Sequence, residues 1–197
     1  MSGNRAVFLD RDGVLARSHV HDGVPTPPAS VTELEILPGV VDACAQLHRA
    51  GFLLVCVTNQ PDIARGRARA EDVAAINASI SGALGLDDVL TCPHDDADDC
   101  ACRKPRAGML REAAARWEID LRASVMVGDR WRDIEAGREA GCATVFVDHG
   151  YAERQPEDPD LVVEGLPAAV TWIRNWGILP PARGTSWGAR WNLRSSS

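Results

Sequence analysis

Ala6-Val7-Phe8-Leu9-Asp10-Arg11-Asp12-Gly13 is an unbroken apolar run that ends on two carboxylates and a glycine. Four apolar residues without alternation fit a strand buried on both faces, as strands of parallel sheets are. Three further runs read the same way: Phe52 to Val57, Val125-Met126-Val127 and Thr144 to Val147. Helical periodicity separates them, over Gly39 to Ala50, Ala70 to Leu84, Ala107 to Trp117 and Trp131 to Ala140. Gly51, Gly85 and Gly141 follow three of these stretches and suit helix C-caps. The alternation predicts βαβ units in an α/β fold with a doubly wound, mostly parallel, Rossmann-type sheet.

Two regions depart from that rhythm. Residues 16–37 contain Pro25, Pro27 and Pro28 and read as a long loop folded over a site. Residues 180–197 are rich in Gly, Pro, Ser, Arg and Trp, lack periodicity, and read as a disordered C-terminal tail whose Trp187 and Trp191 dock elsewhere. Residues 1–179 then form one domain, and the chain is expected to be a monomer.

A net charge of −7 repels phosphate backbones, which argues against nucleic acid as a partner. A small anionic substrate would need local positive charge or a bound cation. The first apolar run is too short for a signal-peptide core, and no segment approaches the ~20 apolar residues of a membrane span. The expected location is the cytoplasm, with no membrane partner.

In open α/β sheets ligands bind beyond the carboxyl ends of the strands. Asp10 and Asp12 follow the first run, Thr58 and Asn59 the second, and Gly128, Asp129 and then Asp133 the third. Taken singly, each acid reads as a turn residue, a helix cap or a first-turn charge. Three strand ends delivering such groups to one sheet edge read differently. Converging carboxylates repel, and Mg²⁺ is the natural complement.

A second constellation is Cys92-Pro93-His94 followed by Cys100-Ala101-Cys102. Three thiols and an imidazole at this spacing make a closed Cys₃His set suited to structural Zn²⁺. The alternatives are a disulfide or unligated thiols. Cys44 and Cys56 lie in apolar contexts and read as core; Cys142 follows a helix end.

Asp10-Arg11-Asp12-Gly13-Val14-Leu15, Thr58-Asn59, Lys104-Pro105 and Gly128-Asp129 with Asp133 together resemble the four motifs of the haloacid dehalogenase-like phosphatases, in order, over roughly residues 5–150. The resemblance implies that Asp10 attacks phosphorus and forms an aspartyl-phosphate, and that Asp12 serves as acid and then base. It also implies that Asp10, Asp129 and the backbone carbonyl of Asp12 hold Mg²⁺, while Thr58, Asn59 and Lys104 bind the phosphoryl oxygens.

The cysteine loop directly before Arg103-Lys104-Pro105 is similar to that of the D-glycero-D-manno-heptose-1,7-bisphosphate 7-phosphatases and the related histidinol-phosphate phosphatases. These are compact members with a minimal cap in which the zinc loop stands in for a cap domain. Thr58-Asn59-Gln60 with Ile63-Ala64-Arg65-Gly66 looks like the heptose branch, whose resemblance gives Arg103 the distal phosphate of a small sugar bisphosphate. Pro61-Asp62, Arg130 and the long Ala16–Ser30 loop depart from the branch pattern and bear on the substrate. A reading from a different class is a zinc-stabilised binding protein without catalysis.

Overall fold

The computed structural model describes residues 3–21 and 24–176; the expected tail at 180–197 lies outside them. Its strands are β1 (Arg5–Leu9), β2 (His19–His21), β3 (Val24–Thr26), β4 (Phe52–Asn59), β5 (Asp88–Cys92), β6 (Val125–Gly128), β7 (Ala143–Val147) and β8 (Leu161–Val163). The helices are α1 (Val40–Arg49), α2 (Ala70–Leu84), α3 (Gly108–Trp117), α4 (Trp131–Ala140) and α5 (Leu166–Asn175).

Six strands make one sheet in the order β5-β4-β1-β6-β7-β8. Every pairing in it is parallel, so the sheet is parallel throughout rather than mostly so. Period-two side-chain alternation explains why β1 is apolar on both faces. Val7 and Leu9 enter one core with residues of α1, α2 and α5. Ala6 and Phe8 enter the other with residues of α3 and α4. Burying a side chain such as Leu9 or Phe8 stabilises by about 1.5–3 kcal/mol each, and both are fully buried.

The four apolar runs all lie in strands, and the four helical stretches fall within a residue of their expected bounds. Gly85 and Gly141 take left-handed φ angles of 66° and 87° at helix ends, where a side chain would be strained. Three elements gave no such signal. Strand β5 is an edge strand of mixed burial, β8 is three residues long, and α5 begins next to Pro167 in a stretch without flanking cues. The expected long loop at 16–37 also needs correction. It contains the antiparallel β2–β3 ribbon and a 3₁₀ turn at Val31–Glu33. Pro25 is tolerated in that ribbon because a two-stranded sheet consists of edges alone. Among the described residues no helix is long and apolar enough to cross a membrane.

The order of strands places a switch point beside β1. The chain moves outward through β4 and β5, then returns to β6 on the other flank of β1. A crevice therefore opens at the carboxyl ends of β1 and β6.

Candidate active site

Asp10 leaves β1 at that crevice, and its N–H donates to the Val127 carbonyl of β6 at 3.0 Å. Asp129 follows β6, and Asp133 stands in the first turn of α4. Carboxylate oxygens of Asp10, Asp129 and Asp133 all lie within 4.8 Å of one another, and all three residues are buried. Gly13 makes the approach possible. At its φ of +89° an added Cβ would lie 1.9 Å from Oδ2 of Asp129.

One ammonium faces these three carboxylates. Lys104 Nζ donates to Asp10 Oδ1 at 2.8 Å and to the Val57 carbonyl at 2.7 Å, and it pairs with Asp133 Oδ1 at 2.6 Å. Burial alone would lower the Lys104 pKa, but Asp10 and Asp133 outweigh it and raise it. The carboxylates show the opposite imbalance. Burial, then the charges of Asp10 and Asp133, push Asp129 well above the usual carboxylate range. Asp133 is pushed by burial to about 6 despite Lys104. Asp129 Oδ1 is buried with no hydrogen-bond partner. An orphaned anionic oxygen, two more carboxylates and hard oxygen donors alone describe a site fitted to a divalent cation such as Mg²⁺.

Asp12 sits apart from that group. Its carboxylate accepts from Arg11 Nε at 3.0 Å, Arg11 Nη2 at 2.9 Å and Gln60 Nε2 at 2.8 Å. Burial raises its pKa, with Arg11 opposing. The structure thus groups the Asp133 carboxylate, not that of Asp12, with Asp10 and Asp129. The expectation for Asp12 concerned its backbone carbonyl, which the side-chain grouping does not address. Asp133 was visible in sequence four residues after Asp129, although its first-turn role is also real: Oδ2 accepts the Arg130 N–H at 3.0 Å.

Thr58 and Asn59 end β4 beside β1. Thr58 is buried, and its Oγ1 accepts from Gln60 Nε2 at 2.8 Å. Asn59 exchanges two hydrogen bonds with the Lys104 backbone, Nδ2 to the carbonyl at 3.0 Å and Oδ1 from the N–H at 3.1 Å. That amide is what fixes Lys104 beside a strand far from it in sequence. Gln60 and Arg11 were not singled out in sequence. Both stand inside the sequence motifs, but the Gln60–Asp12 bond that ties the ends of β1 and β4 together joins residues 48 apart in sequence and has no local signal. Arg11 is 1% exposed and also donates to Asn77 at 2.9 Å.

The cysteine loop starts where β5 ends. Asn59 and Cys92 are register partners, and the Gln60 N–H donates to the Cys92 carbonyl at 2.7 Å. Sulfur–sulfur separations are 3.6 Å for Cys92–Cys100, 3.3 Å for Cys92–Cys102 and 3.4 Å for Cys100–Cys102. His94 Nδ1 lies 3.6 Å from the Cys92 sulfur and 3.3 Å from that of Cys102. A tetrahedron with metal–sulfur bonds of ~2.3 Å has sulfur–sulfur edges of ~3.8 Å, a few tenths longer than these. The four donors fit one Zn²⁺. Arg103, also buried, is drawn toward this loop: Nε donates to Asp96 Oδ1 at 2.8 Å and Nη1 to the His94 carbonyl at 3.2 Å.

Known proteins resemble this chain in sequence and in fold. A family model described as HAD-hydrolase-like matches residues 101–169. A D-glycero-beta-D-manno-heptose-1,7-bisphosphate 7-phosphatase of Bordetella bronchiseptica is 38% identical over 168 residues, 83% of this chain and 88% of the relative. One of the same name from Yersinia pestis is 35% identical over 185 residues, 86% and 89% of the two chains. The crystal structure of D,D-heptose 1,7-bisphosphate phosphatase from B. bronchiseptica, complexed with magnesium and phosphate, matches with a TM-score of 0.70 at 34% identity, covering 86% of this chain and 97% of the other.

Proposed function

We propose, for a chain that belongs to the haloacid dehalogenase-like heptose-1,7-bisphosphate 7-phosphatase family, that it removes the 7-phosphate of D-glycero-D-manno-heptose 1,7-bisphosphate through an aspartyl-phosphate on Asp10. The observation that supports this most is the buried grouping of Asp10, Asp129 and Asp133 around a single lysine at the sheet switch point.

In this reading Asp10 attacks phosphorus in line, and the bond from phosphorus to the sugar oxygen breaks. Asp12 gives that oxygen its proton, and the raised pKa of Asp12 favours the protonated form the step requires. Asp12, now a carboxylate, takes a proton from water as the water oxygen attacks the same phosphorus. Inorganic phosphate leaves and Asp10 is regenerated. Gln60 keeps Asp12 and Thr58 in register throughout. Lys104, the Thr58 hydroxyl and the Asn59 backbone N–H hold the phosphoryl oxygens. Asp10, Asp129 and the Asp12 carbonyl would hold Mg²⁺, with Asp133 beside them. When bound, the ion neutralises charge between the nucleophile and the phosphate dianion.

Cys92, His94, Cys100 and Cys102 would hold a structural Zn²⁺, with no coordination position left for chemistry. A monomer in the cytoplasm completes the reading, where reducing conditions keep free thiols available for a metal. The test is phosphate release with Mg²⁺ from heptose 1,7-bisphosphate and histidinol phosphate. The expected outcome is a kcat/KM favouring the bisphosphate; a preference for histidinol phosphate would move the chain to the other branch.

A further inference from the structure

Asp96 differs from every other acid of the zinc loop in how many cations it serves. Asp95 pairs with Arg65 at 2.6 Å, Asp99 pairs with Arg106, and Asp98 accepts the Asp95 N–H at 2.7 Å. Asp96 alone of these is shared by two guanidinium groups. Arg103 Nε reaches its Oδ1 at 2.8 Å, while Arg132 Nη1 reaches Oδ1 at 3.0 Å and Nη2 reaches Oδ2 at 3.4 Å.

The two arginines come from opposite sides of the crevice, and each is the chain neighbour of a core site residue. Arg103 precedes Lys104, and Arg132 precedes Asp133; Lys104 and Asp133 are themselves 2.6 Å apart. Arg132 is further oriented by stacking over the Trp131 ring at 4.7 Å, and Trp131 carries Arg154 at 4.6 Å. Two fixed guanidinium groups facing one carboxylate leave a surplus of one positive charge. A phosphate monoester dianion would balance both, and its oxygens match the donor fork of each. Asp96 can yield the place, because its side chain is 55% exposed on a single 3₁₀ turn, whereas that of Arg103 is 10% exposed.

We propose that Asp96 is a stand-in anion, exchanged for the distal phosphate of the substrate when it binds, and that Arg132 is a specificity-determining residue that holds this phosphate together with Arg103. The inference rests on the bisphosphatase reading above. Arg132 would select for a second anion, and Asp96 would keep the two arginines apart and aligned until that anion arrives.

The discriminating pair of substrates is heptose 1,7-bisphosphate and heptose 7-phosphate, which share the scissile group and differ only in the distal phosphate. In the full chain with Mg²⁺, Arg132→Ala is expected to reduce the ratio of their kcat/KM values at least ~10-fold, chiefly through KM of the bisphosphate. Arg132→Lys, which keeps the charge but loses the fork, should restore part of that ratio. Asp96→Asn removes the competing charge, and the bisphosphate KM should fall. If wild-type protein shows no preference for the bisphosphate, the underlying reading fails. If it shows the preference and Arg132→Ala leaves the ratio intact, or Asp96→Asn raises the bisphosphate KM, the exchange proposed here is overturned while that reading stands.

Discussion

The carboxylate–lysine group at the ends of β1 and β6 and the Cys92–Cys102 loop beside it are both clusters of metal-capable side chains, yet the chain holds them by opposite means. Asp10, Lys104, Asp129 and Asp133 are buried: Asp10 and Asp129 directly follow β1 and β6, Asp133 lies in α4, and the turn that carries Lys104 is clamped by Asn59 at the end of β4. Their geometry exists before any ion arrives, at the cost of buried like charges. Cys100 and Cys102 are only half-buried, the run Asp95 to Asp99 lies outside the sheet, and the loop has one 3₁₀ turn of its own. Of its four donors only Cys92 belongs to a core; Cys100 and Cys102 rest against the edge of that core, on a loop outside the sheet. The first cluster is a site that the fold makes and a cation relieves; the second, on the zinc reading proposed above, is a site whose exposed half a cation would lock.

Breaking the first cluster should have the largest effects. Asp10→Asn keeps the volume and removes the nucleophile, so phosphate release with Mg²⁺ should fall by ~10³-fold or more, with circular dichroism unchanged. Residual turnover near wild type would sink the mechanism.

Lys104→Met strips the ammonium from two buried carboxylates. The expected loss of stability is about 3–5 kcal/mol in denaturant titration without Mg²⁺, and saturating Mg²⁺ should recover part of it.

The second cluster should fail locally. Removing zinc with a thiophilic chelator that spares Mg²⁺ should open residues 92–102 to proteolysis while the parallel sheet keeps its far-ultraviolet signal. Metal analysis of reduced protein should find one Zn²⁺ per chain, and finding none would erase the contrast.

The smallest effect sharpens the claim of stored repulsion. Burial holds the Asp133 proton up to about 6, against 3.8 for an ordinary aspartate. Between these values the folded protein keeps a proton that the unfolded chain has released, so this group's contribution to stability falls as pH rises through the window. Ion binding requires the deprotonated form. The Mg²⁺-induced rise in Tm should therefore be a few degrees larger at pH 7 than at pH 5; a rise independent of pH would show that Asp133 is not part of the ion's surroundings.

The contrast also explains what could be read from the residues in order. Strands such as Phe52–Val57 and Val125–Val127 carry their burial in their own composition, and the cysteine loop carries its ligand set within eleven residues. Strand β5 does not, because an edge strand of mixed burial looks like any polar stretch with two or three apolar residues. The pairing of Asn59 with the Lys104 backbone, the Arg11–Asp12–Gln60 network and the sharing of Asp96 by Arg103 and Arg132 were equally silent. Each joins residues whose meeting depends on strand order, and no local pattern encodes strand order. Asp133 is intermediate. Its position was marked, but a helix first turn and a metal-facing carboxylate look identical until the switch point is built.

The register of β4 and β5 has an evolutionary side. The loop begins at Cys92, which is fully buried in the core layer under α3, and ends at Lys104, which is clamped by Asn59. Both boundary posts belong to the scaffold, and the span from Pro93 to Arg103 runs between them as a cassette, its Cys100 and Cys102 resting against the second core. A lineage could exchange that cassette, altering which leaving group is admitted, without disturbing the nucleophile or the layers that support it. Substrate preference and catalytic competence would then drift on separate clocks within a single small chain.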